Sequence, residues 1–340
     1  MGFGSVGQMV YHKTAHWHKH STNHRLAMTL LYYDPRFAEH QTGNHPERPA
    51  RVIETFAHLR HLGLDRKCVL PSWQMASPEQ LHYVHDPSYV ESVKSLCESG
   101  GGYLDPDTVV SDRSYEVACL AAGATCDAVV RVLRGEDANA FCLSRPPGHH
   151  ALADKAMGFC LFNHVAIGAR LAMKEFDIRR VLIVDFDVHH GNGTQDIFWS
   201  DADVGYFSIH RSPFYPGTGA ASETGYGLGE GTTRNVPMKR DASRQEVLAV
   251  FADEVNAFAD QLKPELLLVS AGFDAHKNDP IGSLGLESED FRAITQVLCE
   301  VARRHTSGRM VSILEGGYDC AALGESVAVH LEELLGMGLG

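Results

Sequence analysis

The sequence predicts an α/β domain in which a mostly parallel central sheet is covered by helices on both faces. Three observations carry this reading. Short β-branched runs alternate with segments of helical period along most of the chain, the order that stacks parallel strands between helices. Five of the apolar runs end in polar or glycine-rich stretches, as expected at the carboxyl edge of a parallel sheet, where ligands sit. No segment rich in Pro, Gly and Ser interrupts the alternation, so residues 28–340 read as a single domain. Residues 1–27 precede it as a histidine-rich extension (His12, His16, His18, His20, His24) with little apolar periodicity, the pattern of a weakly ordered tail.

The first strand is 28–33, MTLLYY. Residues 46–64 place Val52, Ile53, Phe56, Leu59 and Leu62 at helical spacing, and Ser77 with Gln80, followed by Pro78, signs a capped helix start. Further helices are predicted over 114–135, 158–176, 243–262, 288–305 and 320–335. Ser243 with Glu246 repeats the capping pattern, and Val247, Leu248, Phe251, Val255, Phe258 and Leu262 form that helix's core stripe. The five strands with special ends are 141–144 running into RPPGHH, 181–184 into DFDVHHGNG, 204–209 into HRSPFYPGTG, 266–270 into AGFDAHKNDP and 310–314 into EGGYD. Lying side by side, their ends build one site.

Composition narrows the function. Apolar residues make up 44% and charged residues 21%, an ordinary globular balance, and the formal net charge is −13. Such a charge disfavours direct binding to nucleic acid and suits cationic partners. No apolar run reaches membrane-spanning length, and the eight cysteines contain no CxxC pair. We expect a soluble, cytoplasmic protein with reduced thiols and no membrane partner. No pattern fixes an oligomeric state.

The stretch VLIVDFDVHHGNGTQ, residues 181–195, is the centre of the reading. If the strand continues past Val184, Asp185, Asp187 and His189 project to one face and Phe186 and Val188 to the other. Gly191 and Gly193 then allow a tight exit. Two carboxylates and an imidazole would otherwise be a costly capped turn, since acidic groups are seldom buried unpaired. A third ligand for a metal could come from Asp274 or Asp279, both after the 266–270 strand. His149 and His150 are adjacent, and Tyr318 follows two glycines that free the backbone to bring a phenol close.

In order, RPPGHH, GFCLFNH, VDFDVHHGNGTQ, YPGTG, SAGFD with NDP, and EGGY resemble the histone deacetylase family of zinc amidohydrolases over about residues 28 to 335. The asparagine of HHGNGTQ is similar to the class II branch and its bacterial relatives. The resemblance implies the arginase/deacetylase fold, with about eight strands in the sheet. It implies one Zn2+ per chain, with Fe2+ as the alternative, on Asp187, His189 and Asp279. It pairs His149 with Asp185 and His150 with Asn192. A carboxylate favours imidazolium more than an amide does, so His150 is the expected base and His149 the cationic, proton-donating partner. Tyr318 is expected to donate to the developing oxyanion. Gly158, Phe159, Tyr215 and Ile281 are the implied substrate channel, Tyr215 standing where many members carry phenylalanine. Structural K+ is implied at Asp185, Asp187, His189, Ser208 and Ile209, and at Phe198, Asp201 and Val204. The implied reaction is removal of acetyl or a related short acyl group from lysine in proteins. Acetylpolyamine hydrolysis is the second reading, which Ile281, in place of an acid, weakens, and a silent acyl-lysine binding module is the third.

Overall fold

The computed structural model describes residues 28–337. The histidine-rich extension expected over 1–27 lies outside the described residues. In chain order the elements are β1 (Thr29–Tyr32), α1 (Ala50–His61), α2 (Pro78–Leu81), α3 (Pro87–Glu98), β2 (Gly101–Asp105), β3 (Thr108–Ser111), α4 (Ser114–Leu133), β4 (Asn139–Cys142), α5 (His164–Phe176), β5 (Val181–Asp185), α6 (Asn192–Phe198), β6 (Val204–Arg211), β7 (Thr233–Met238), α7 (Arg244–Leu262), β8 (Leu266–Ala271), α8 (Ser288–His305), β9 (Met310–Leu314) and α9 (Cys320–Met337).

Seven strands form one parallel sheet in the order β1-β4-β9-β8-β5-β6-β7, and β2 with β3 makes a separate antiparallel hairpin. The strands are hydrophobic on both faces because helices cover both. Along β5, Leu182 and Val184 enter one core with α1, α7, α8 and α9. Val181 and Ile183 enter the other, with α3 and α5. The 158–176 helix starts later than its sequence pattern predicts, at His164, because Asn163 caps it: the Asn163 side chain accepts from the Ala166 N–H. Ser77 and Gln80 do form a reciprocal capping box. Strand β7 and the β2–β3 hairpin lacked a readable signal: β7 contains Pro237, which its edge position tolerates, and the hairpin is glycine-rich and half-exposed.

Strand β5 stops at Asp185, short of the extended run to His189. The alternation survives in the following turn: Phe186 and Val188 enter the hydrophobic core, while Asp185, Asp187 and His189 face the carboxyl edge. The register sets Asp185 beside Ser208 of β6 and Ser270 of β8. The ends of β4, β9, β8, β5 and β6 are contiguous in the sheet, so their special sequences meet.

Candidate active site

Two unlike histidine pairs sit at this edge. His149 Nδ1 lies 2.9 Å from Asp185 Oδ2, and His150 Nδ1 lies 2.7 Å from Asn192 Oδ1. All four positions were expected to pair from the resemblance. The rings differ electrostatically. Burial lowers the basicity of His149, but the Asp185 and Asp187 carboxylates outweigh it and hold its pKa at about 10. Burial pushes His150 well below the usual range, reinforced by the positive His149 ring, and its amide partner cannot reverse this. One imidazole is held cationic and its neighbour neutral.

Beside them is a carboxylate and imidazole cluster that could hold a metal. Its members are Asp187, His189 and Asp274, whose donor atoms all lie within 4.8 Å of one another. The third carboxylate here is Asp274 and not Asp279, a correction to the expected ligand set. Asp279 lies outside this group and serves as a backbone strut: Oδ1 accepts from the Ile281 and Gly282 N–H groups and Oδ2 from Tyr318 N–H. Asp274 Oδ1 accepts from Val188 N–H at 2.9 Å, while Oδ2, 3.0 Å from His189 Nδ1, is a buried acceptor with no hydrogen-bond donor among the described residues. Burial, with Asp187 adding to it, pushes the Asp274 carboxyl up to about 7. A buried oxygen of this kind suits a bound cation. The surrounding backbone is close enough to exclude side chains: a Cβ at Gly316 would lie 2.2 Å from Asp274 Oδ2, and one at Gly272 would lie 2.0 Å from Asp187 Oδ2. The donor set of two carboxylates and one imidazole fits a divalent transition metal.

A cavity of about 300 Å³ leads to this cluster and is lined by Gly158, Phe159, Tyr215 and Ile281, together with His150, His189 and Tyr318. Gly158 has φ +55, and a Cβ there would strike His150 Cδ2 at 2.5 Å. Phe159 follows with φ +70, a strained geometry for an aromatic residue, secured by its N–H on Thr108 Oγ1 and by an edge contact with the Tyr318 ring. Tyr318 is buried, and Arg51 lies 4.8 Å from its ring centroid.

Several site residues carried no sequence signal. Phe214 stacks on His189 at 5.0 Å, and exposed Asp107 lines the cavity from the β2–β3 hairpin. Behind the site, Glu47 takes Arg145 in a two-point contact and Arg51 at 3.1 Å, all three buried. Arg51 also donates to Gly317 O, tying α1 to the turn before Tyr318. Most of this network is invisible in sequence because its longer links join residues about 100 to 270 positions apart, as between 47 and 145 and between 51 and 317. A second group, His149, Cys160 and Glu315, also lies within metal-ligand distance. There the Glu315 oxygens are taken by Gly148 N–H, His149 N–H and Ser270 Oγ, so it is a structural group.

Of the residues implied to hold monovalent cations, Asp185 and Ser208 are cross-strand partners at the ends of β5 and β6, Ile209 follows on β6, and Asp187 and His189 lie in the turn after β5. Phe198, Asp201 and Val204 surround the α6-to-β6 turn, where Asp201 N–H donates to Phe198 O and its carboxylate is held by Arg170.

Comparison with known proteins identifies the family. A family model described as histone deacetylase domain matches residues 45–334. A histone deacetylase-like amidohydrolase of Pseudomonas aeruginosa is 39% identical over 86% of this chain and 77% of its own length. A probable deacetylase of Methanothermobacter thermautotrophicus is 38% identical over 90% of this chain and 91% of its own. The solved structure of the HDA15 HD domain superposes with a TM-score of 0.87 at 35% identity, covering 93% of this chain and 92% of that one. By the extent of these matches, the chain belongs to the histone deacetylase family of hydrolases.

Proposed function

We propose that the chain hydrolyses the amide of acetyl-lysine, or of lysine carrying a related short acyl group, in proteins of the cytoplasm. The observation that carries this reading is the unlike histidine pair set beside a three-ligand cluster at the end of a cavity. Zn2+ held by Asp187, His189 and Asp274, with Fe2+ as the alternative, would supply Lewis acidity toward the amide carbonyl and lower the pKa of a water. K+ would be held structurally at the β5 and β6 ends and at the α6-to-β6 turn. His150, neutral and fixed by Asn192, takes the attacking water's proton. His149, kept cationic by Asp185, stabilises negative charge and supplies a proton to the leaving amine. Phe159 and Tyr215 flank the acyl-lysine chain. Tyr318 donates its hydroxyl to the carbonyl oxygen as charge builds there.

His150→Ala should lower kcat by about 10²- to 10⁴-fold at neutral pH, more than His149→Ala, with metal content unchanged in both. A clearly larger loss in His149→Ala would reverse the two roles. Tyr318→Phe should keep the fold and substrate affinity and lower kcat on acetyl substrates by about 10²- to 10³-fold. A trifluoroacetyl substrate, being more electrophilic, should lose less; equal losses on both would remove Tyr318 from the oxyanion position.

One observation favours acetylated polyamines as a second reading: the carboxylate of Asp107 on the exposed side of the cavity, where a distal ammonium could be held. Steady-state rates on acetyl-lysine peptide and on acetylspermidine decide between them. Higher kcat/KM on the polyamine would replace the proposed substrate.

A further inference from the structure

Glu315 stands at the end of β9, fully buried, one position before the two glycines that lead to Tyr318. Its contacts do not belong to the turn it begins. Oε2 accepts from Gly148 N–H at 2.6 Å and His149 N–H at 3.1 Å, and Oε1 accepts from the Ser270 hydroxyl at 3.2 Å. Its own N–H donates to Ala271 O at 2.9 Å, so both its backbone and its side chain are fixed to the end of β8. A buried carboxylate receiving two backbone N–H groups makes charge-assisted bonds, stronger than neutral ones.

These contacts matter because of what the received segment carries. Residues 148–150 leave β4 as irregular chain, without ladder bonds of their own. On the far side the segment is held by α6, where Thr194 N–H donates to His149 O at 3.1 Å. On the near side it is held by Glu315. Gly148 passes so close to the 162–164 backbone that a Cβ would come within 2.8 Å of His164 N and Phe162 O. The two imidazoles are thus aimed at Asp185 and Asn192 by a short peptide held from both sides.

We infer that Glu315 is a positioning residue for the tandem histidines: its carboxylate anchors the Gly148–His149 peptide to the β8–β9 edge and so sets both rings relative to the Asp187, His189 and Asp274 cluster. It touches neither substrate nor cluster and acts through the peptide. Burial raises the pKa of its carboxyl, and His149 and the Gly148 N–H group oppose that rise by favouring the carboxylate.

Glutamine can replace the carboxylate without loss of geometry, its oxygen accepting from both N–H groups and its amide nitrogen donating to Ser270 Oγ. Alanine cannot. With metal content equal to wild type, Glu315→Ala should lower kcat by about 10²-fold, the scale of a roughly 1 Å misplacement, with KM within a few-fold. Glu315→Gln should restore kcat to within about tenfold of wild type. Hydrogen exchange of the peptide covering residues 145–152 should speed up in the alanine variant and return toward wild type in the glutamine variant. The kcat arm rests on the proposed hydrolysis. The exchange arm does not, so an inactive wild type would sink that reading and leave the anchor still measurable. Unchanged exchange in Glu315→Ala, or a glutamine variant as impaired as alanine, would overturn the positioning role.

Discussion

Asp274→Asn is expected to empty the metal place and abolish activity while leaving the fold intact. The asparagine oxygen can keep the bond from Val188 N–H that Asp274 Oδ1 accepts, so the local backbone has no reason to move. Its NH2 group then occupies the position of Oδ2, the unsatisfied oxygen beside His189, and presents hydrogens in place of a lone pair. Loss of affinity should exceed the roughly 10- to 100-fold that disturbing a supporting residue costs. Asp279→Asn should behave differently. Its oxygens serve Ile281, Gly282 and Tyr318 N–H groups, and an amide leaves one of these donors facing another donor. We expect a loss of about 1–3 kcal/mol in stability and a lower kcat through Tyr318, with metal retained. Metal analysis after gel filtration separates the two cases; full metal in Asp274→Asn with an empty Asp279→Asn would return the ligand role to Asp279.

Acid should unfold the protein before most of its carboxylates are titrated. Five histidines, His85, His164, His190, His210 and His330, are buried and pushed down by burial, to about 4, 4, 3, 4 and 3 in that order. Their rings are committed as neutral hydrogen-bonding groups, His330 between Thr295 and Ser312 and His85 accepting from Asn163 N–H. Their folded pKa values lie below the unfolded value of about 6.5, so the stability they contribute is present above that pH and is lost as pH falls toward 4. At pH 5 each costs about 2 kcal/mol, and five together roughly 10 kcal/mol, comparable to the whole stability of an ordinary domain. His149, held at about 10, is protonated in both states below pH 6 and does not alter this slope. Melting temperature should therefore fall steeply from pH 7 to 5. A flat profile across that window would show that these rings are not buried neutral.

The strand and helix order and the converging carboxyl ends were legible because each rests on local pattern, whereas the histidine partners, the channel and the role of Tyr318 came only from the family resemblance. The β-branched run 181–184 makes β5 readable, and alternation after it separates Asp185, Asp187 and His189 from Phe186 and Val188. The third ligand was not legible. Asp274 and Asp279 share the same loop after β8, and what divides them is which backbone N–H groups they receive, a property of the folded turn. Glu315 was quoted within its motif without a role, since its partners at 148, 149 and 270 are distant in sequence. Phe214 and Asp107 enter through a loop and a half-exposed hairpin, where neither period nor composition points inward.

The place of β9 between β4 and β8 bears on how the protein comes off the ribosome. Chains emerge at roughly 5–20 residues per second, and until residues 310–314 are out, the β1-β4 pair and the β8-β5-β6-β7 group each keep an open edge facing the other. Unpaired edges of this kind invite pairing with other chains, so the interval before β9 emerges is the one in which a holding chaperone would matter most. The same late strand brings Glu315 and, just beyond it, Tyr318, so sheet closure and completion of the proposed site are one event.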